Sequence, residues 1–368
     1  PFRTTPVYDI QQSLGAVFGQ QFGLEVANYF ASEDEPRYET PSFRRSNAFA
    51  ATAREVKAVR ERVGINEVQN FSKFSVTGSG ARAWLDRIMA GRIPDMGRVS
   101  LAPMLSPKGR LIGDFTISCL GEEEFQLTSS YGYQSVHERW LRRHLEAGID
   151  IENISDRRTG FQIAGPMARN VLAEVTRADV SAESFLFMDV KRMTVGMCDC
   201  IVQRLSYTGD LGYEIYTDAM DQRSLWDTLF AAGQKHGMRP FGMRAMMSLR
   251  LDKFFGSWLS EFSPDYTPAE TGMDRFVAFN KGADFIGRSA VVAERQSGAA
   301  RKLVMFEVDT DDADAVGYEP VWIDGEVKGF CTSGGYSHTA QKSIALALVD
   351  VASLSDDLEA KIEILGDM

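Results

Sequence analysis

Residues 206–215 read Ser-Tyr-Thr-Gly-Asp-Leu-Gly-Tyr-Glu-Ile, a turn with two glycines that re-enters a strand at a carboxylate. Tyr213, Glu214, Ile215 and Tyr216 follow the period of two of a half-buried strand, which is expected to point Glu214 away from its two tyrosine neighbours. An acid between Tyr and Ile costs several kcal/mol to bury unless donors meet it. A flat heterocycle with adjacent N–H groups would supply them. The same run also suits a plain surface hairpin, because Thr-Gly-Asp satisfies turn sterics by itself. Asp114 is the second acid of interest. It follows the glycine-hinged stretch Met-Leu-Ser-Pro-Lys-Gly at 104–109 and leads the apolar run 115–120, where it could either cap a turn or work on a reacting group. Arg244 opens an apolar helical run at 245–255, although the N-terminal end of a helix prefers anions. Such an arginine either reaches out to a ligand or pairs with a neighbouring acid. Tyr207 and Trp258, the latter with Phe254, offer aromatic walls or ordinary packing.

Positioning these groups falls to an internal repeat. Phe74, Gly78, Ala81, Arg82 and Leu85 recur at the same offsets as Phe161, Gly165, Ala168, Arg169 and Leu172. Each copy reads as strand, glycine turn and amphipathic helix. Strand-like runs at 111–120 and 124–128 and a helix at 133–145 follow the first copy; runs at 193–206 and 213–217 and a helix at 222–236 follow the second. That order predicts two ferredoxin-like α+β units. The Gly-Ser-Gly-Ala-Arg-Ala stretch at 78–83 nearly matches a dinucleotide fingerprint, but a hairpin rather than a parallel crossover follows it, so it reads as a tight turn. From about residue 284 short β-rich runs at 303–308, 320–323, 327–333 and 343–349 predict an all-β barrel or sandwich. The acidic stretch 309–314 reads as a solvated loop.

A net charge of −11 and scattered basic residues argue against nucleic acid, whose phosphates need clustered cations. No apolar run reaches membrane-span length, and the N-terminus has no basic-then-apolar signal pattern. A cytoplasmic location is the expectation. The chain starts at Pro1 without a Met, as a trimmed chain or a piece of a longer polypeptide would. Four cysteines are too sparse for a disulfide framework, and the four histidines stand away from Cys198 and Cys200, so no metal site is expected.

The order Ser-Tyr-Thr-Gly, acid, Gly, aromatic, Glu resembles the signature of the tetrahydrofolate-dependent aminomethyltransferase superfamily. That superfamily includes the glycine-cleavage T-protein and the folate-binding halves of dimethylglycine and sarcosine dehydrogenases and oxidases. Phe-Ser-Val-Thr-Gly at 74–78, Ser-Leu-Arg-Leu-Asp-Lys at 248–253, Tyr-Thr-Pro-Ala-Glu-Thr-Gly at 266–272, Asp-Phe-Ile-Gly-Arg at 284–288 and Thr-Ser-Gly-Gly-Tyr-Ser-His-Thr at 332–339 agree in order and spacing. The later blocks look more like the dimethylglycine/sarcosine branch.

The resemblance implies two α+β units and a C-terminal β-barrel domain around a central folate site. The units are expected to take residues 1–55 plus 151–245 and 56–150 plus 246–283, and the barrel domain 284–368. It implies Asp114 as the catalytic acid and Glu214, Tyr207 and Arg244 as tetrahydrofolate contacts, with Trp258 added from its residue type as a candidate wall for the ring. Glu214 would hold the pterin edge, and Arg244 would lie close to the ligand. The implied activity is transfer of a methyl or aminomethyl group from a small methylated amine or betaine-type donor, giving methylene- or methyl-tetrahydrofolate. With no flavin-binding fingerprint in the sequence, oxidation of the donor would fall to a flavoprotein oxidase partner or a longer parent polypeptide. Alternatives are the T-protein itself, working with a lipoyl carrier protein, and a folate-binding accessory protein without turnover. Leu101, Gly91-Arg92, residues 67–70 and Gly113 depart from the T-protein pattern, all around the expected donor site.

Overall fold

The computed structural model describes residues 3–355 and 358–368. Strands Phe71–Thr77, Val99–Leu105, Leu111–Gly121 and Glu124–Ser130 share one sheet with Asp150–Asn153. Strands Arg158–Ala164, Val190–Val195, Cys198–Gln203 and Gly212–Asp218 share a second with Gly64–Glu67 and Arg239–Pro240. The repeat is therefore real, and the fold class is α+β with a C-terminal all-β domain, as expected. Each repeat contributes four strands of its own where the sequence suggested three, and the sheets grow to five and six strands by borrowing others. The run 193–206 is not one strand but a hairpin folded at Gly196, whose φ of +59° suits a glycine. The strand Val99–Leu105 precedes the 104–109 turn.

The two repeats exchange their leading strands. Gly64–Glu67, just before the first copy, pairs antiparallel with Arg158–Ala164 of the second. Asp150–Asn153, just before the second copy, pairs with Phe71–Thr77 of the first. Helix Phe49–Glu61 thus runs across the division expected at residue 55, and strand Gly64–Glu67, placed by that division in the other unit, lies in the sheet of Arg158–Ala164. The helix expected at 245–255 spans Met243–Leu251 and packs against Phe49–Glu61 and the C-terminal sheet.

Alternation sorts the side chains of each sheet. One face of the second sheet, including Phe161, Ile163, Tyr213 and Ile215, packs on helices Ala168–Val175 and Gln222–Gln234. Phe74, Val76, Phe115 and Ile117 do the same against Ala81–Ile88 and Gln134–Arg143. The opposite faces meet through Val68, Val99, Val190, Ile201 and Tyr216. Glu214 and Tyr216 are two residues apart and share this inner face. The expectation that Glu214 points away from both tyrosines holds for Tyr213 and fails for Tyr216, as a period of two requires.

The C-terminal domain is a five-stranded antiparallel sheet with Arg301–Val308 and Ala360–Ile362 at its edges, curled over Ala315, Val321, Cys331, Ala345 and Ala347. It is fastened to the rest by charge. Residues 309–314 are not simply solvated: Asp314 holds Arg45 through two hydrogen bonds of 2.9 and 3.0 Å, and Asp312 pairs with Arg44. More deeply, Arg250 and Glu261 form a fully buried pair at 3.0 Å, and the Thr332 and Ser333 hydroxyls of the C-terminal sheet donate to Glu261. Removing one member leaves an uncompensated buried charge, a loss of about 3–5 kcal/mol. Arg250→Met is expected to lower the thermal midpoint sharply in calorimetry, whereas Arg250→Met with Glu261→Leu recovers most of it.

Candidate functional site

A cavity of about 590 Å³ opens between the inner faces of the two sheets, the 16–30 hairpin and the segment after helix Met243–Leu251. Its wall contains Asp114, Tyr207, Glu214 and Trp258, four of the five residues singled out from the sequence.

Glu214 reaches the wall through the 206–215 run, whose local structure follows from its residues. Gly209 sits at φ +73°, and a Cβ on Gly212 would come within 2.6 Å of the Ser206 Cβ. Ser206 and Thr208 hydroxyls bond at 2.7 Å, and Arg60 clamps the turn through Asp210 (2.5 Å) while also holding Asp252 (2.8 Å). Asp210 is therefore a fastening, and Glu214 is the acid delivered inward. Glu214 is 7% exposed and accepts the Tyr216 hydroxyl at Oε2 (2.6 Å). Among the described residues Oε1 carries no hydrogen bond. Burial raises its pKa, while Tyr216 and the nearby Lys73 ammonium act in the opposite sense.

Asp114 stands opposite Pro103, which has no N–H to offer its carbonyl; the Ser129 hydroxyl donates there instead at 2.7 Å. Its Oδ1 is buried without a partner. Burial lifts the carboxyl to about 6, and among the described residues no cation opposes the rise. The Tyr207 hydroxyl donates to the Gly256 carbonyl at 2.6 Å, so its ring, stacked with Phe255 at 6.1 Å, forms the wall rather than its proton. The Trp258 indole N–H is buried without an acceptor, and its ring edge meets Tyr133 and His137 at 5.2 and 5.7 Å. Two non-glycine residues with left-handed φ, Phe254 (+55°) and Leu259 (+74°), bracket this aromatic segment. Such strain concentrates where a wall is held for a ligand.

Arg244 does not join the site. It is half exposed and pairs with Glu39 at 2.9 Å, away from the cavity wall. The acid that a helix-start arginine can take as partner is present, and it came from a segment about 200 residues earlier. Arg275 is the one basic residue of the wall, exposed and stacked over Phe276 at 4.8 Å. Among the described residues no acid pairs with it. Sequence reasoning missed it because Met273–Phe276 is a single short turn with no motif of its own.

His137 was also missed. Burial holds it near 4, so it is a neutral ring. Its Nε2 bonds the Ile112 carbonyl at 3.1 Å and must carry the proton. A Cβ on Gly113 would lie 2.7 Å from the Phe115 ring and 2.8 Å from His137, and one on Gly91 would lie 2.6 Å from the Ala102 Cβ. Both departures from the T-protein pattern are thus packing requirements. Glu67 is likewise structural: it takes hydrogen bonds from Thr5, Gln11 and Gln222. Leu101 and Asn70, by contrast, line the cavity.

Comparison with known proteins agrees with this architecture. Residues 7–281 match the GCVT N-terminal domain, and residues 301–368 match the glycine cleavage T-protein C-terminal barrel domain. Mitochondrial dimethylglycine dehydrogenase of Homo sapiens is 37% identical over 351 residues, which are 95% of this chain and 40% of that protein. The chain thus spans about two fifths of the length of such relatives. An aminomethyltransferase of Geobacillus sp. (strain WCH70) is 32% identical over 321 residues, covering 86% of this chain and 87% of that one. The crystal structure of the glycine cleavage system aminomethyltransferase T from Bartonella henselae superposes with a TM-score of 0.85 at 21% identity, over 100% of this chain and 95% of that one, so the fold is shared. The chain belongs to the glycine-cleavage T-protein (GCVT) family.

Proposed function

We propose that the chain is a tetrahydrofolate-dependent one-carbon transferase acting on a small methylated amine or related donor. One observation carries this reading: two carboxylates, one buried and one largely so, face a single cavity, each with an oxygen that no protein group satisfies among the described residues. A planar ligand with an N–H edge at one end and a reacting nitrogen further along would satisfy both. Bound tetrahydrofolate supplies such an edge and the nitrogen that takes up the carbon unit. Glu214 holds the edge by charge-assisted hydrogen bonds. Tyr207 and Phe255 flank the ring system, and Trp258 walls the neighbourhood of Asp114. Asp114 stabilises a cationic carbon donor and takes or orients the proton released at the nitrogen.

Names among the relatives place both an aminomethyltransferase and a dehydrogenase beside this chain. For the donor we favour the dehydrogenase-like reading, with oxidation by a flavoprotein partner or a flavoprotein portion of a longer polypeptide. The cavity rim supports a covering partner: Phe22 and Phe187 line it while 60% and 66% exposed. The test is calorimetric titration with tetrahydrofolate, followed by turnover assays with methylated amines plus a flavin oxidase. Failure to bind at tens of micromolar would remove the reading.

Arg275, as the cation of the wall, suits the carboxylates of the folate tail. Arg275→Gln is expected to weaken tetrahydrofolate by about three- to tenfold, the worth of one solvent-exposed charge contact. A tetrahydropteroate analogue without the glutamate should bind parent and variant alike.

A further inference from the structure

We propose that Lys73 is the buried counter-ion of Glu214, a positioning residue that keeps this carboxylate ionised and so sets the lower pH limit of ligand binding. This rests on the proposed function for its link to folate, but not for its link to Glu214.

Lys73 is fully buried on the strand Phe71–Thr77, where a Lys is rarely found without a task. Its ammonium donates to the Val68 carbonyl at 3.0 Å and the Phe71 carbonyl at 2.9 Å, both acceptors that favour the charged form. It lies 5.8 Å from the centre of the Tyr216 ring, the residue whose hydroxyl is bonded to Glu214. Lys73 also pairs in register with Thr128, a wall residue of the cavity, and its neighbour Phe71, whose carbonyl the ammonium holds, lines the cavity too.

The charged groups facing Lys73 come from three neighbouring stretches: Glu214 from the strand Gly212–Asp218, Glu67 from Gly64–Glu67, and Asp156 with Arg158 ahead of and within Arg158–Ala164. Burial pushes the ammonium down, Glu214 opposes this most among the charges, and Arg158 adds to the fall. Glu67 has its own three neutral donors, whereas Glu214 has one tyrosine. Lys73 is therefore matched chiefly to Glu214. A carboxylate in a dry wall without that cation would take up a proton at higher pH and could no longer accept two ligand N–H groups.

The test is a pH titration of the Glu214 carboxyl in full-length protein labelled with 13C at glutamate carboxyls, the resonance being assigned by its absence in Glu214→Gln. Lys73→Met is expected to raise the midpoint by at least about one unit, a tenfold change in the protonation constant. In parallel, the acid limb of tetrahydrofolate affinity should move up by the same interval and the two proteins should converge at high pH. Lys73→Gln, which keeps a hydrogen bond but no charge, should behave the same way and serves if Lys73→Met does not fold. A midpoint unchanged in the folded variant, or an affinity loss equal at every pH, overturns the proposal. If Glu214→Gln binds folate as the parent does, the folate reading fails, while the carboxyl titration still decides the role of Lys73.

Discussion

Glu214→Gln is expected to weaken tetrahydrofolate binding by at least about 100-fold, or about 2.7 kcal/mol, in calorimetric titration. The substitution preserves shape and removes charge. A hydrogen bond to an ionised acceptor is worth about 1.5–3 kcal/mol net, and two of them would be weakened together. The amide also places a donor where the ligand brings a second donor. The loss should not reflect unfolding, and the sign of the linkage shows why. Burial raises the pKa of Glu214 above its ordinary 4.5, so the folded chain binds this proton more tightly than the unfolded one. The stability tied to that proton is fully present below 4.5 and declines as pH rises through the folded value. At neutral pH the buried carboxylate is thus a cost that Gln relieves, which offsets the charge that Lys73 then leaves uncompensated, and the variant should fold, its melting point being read beside the titration. Binding within about threefold of the parent would remove Glu214 from the site.

What the sequence disclosed was local. Glu214 could be placed because alternation and two turn glycines act over ten residues, and Asp114 because a glycine-hinged turn leads straight into its strand. The family resemblance supplied their roles, and the cavity brings them to one wall. The pairing of Arg244 was not legible because its partner, Glu39, lies on a segment brought near only by the fold. The strand exchange between repeats was invisible for the same reason: the pairing of Gly64–Glu67 with Arg158–Ala164 spans nearly a hundred residues of chain (Glu67 to Phe161, Gly64 to Ala164), and no periodicity encodes it. The hairpin inside 193–206 had one signal, Gly196, lost within an otherwise continuous β-rich run. Lys73 and Arg275 were passed over because the first sits in a strand pattern that a Lys contradicts and the second in no pattern at all. A charged residue at an inward strand position was the readable clue for Lys73.

Asp114→Asn should separate chemistry from binding. Turnover is expected to fall by about a thousandfold while the affinity for tetrahydrofolate changes by less than about fivefold. The magnitude follows from Coulomb's law at contact distance. A carboxylate about 4 Å from a cationic carbon, in surroundings of effective dielectric about 20, contributes about 4 kcal/mol, equivalent to about three powers of ten in rate. Among the described residues no cation opposes the rise in its pKa, so the donor itself becomes the counter-ion. The interaction is strongest where charge on the carbon is greatest, which lowers the barrier rather than merely tightening the complex. Burial has raised Asp114 to about 6, and only its ionised form can do this work. Parent kcat should therefore climb as pH rises through about 6 and level off above it, with the limb shifted lower if a cationic donor is bound. The Asn variant, with nothing to ionise at that position, should lose this limb altogether. Turnover within about twofold of the parent, or an unchanged acid limb, would show that the proton and the charge are handled elsewhere in the cavity.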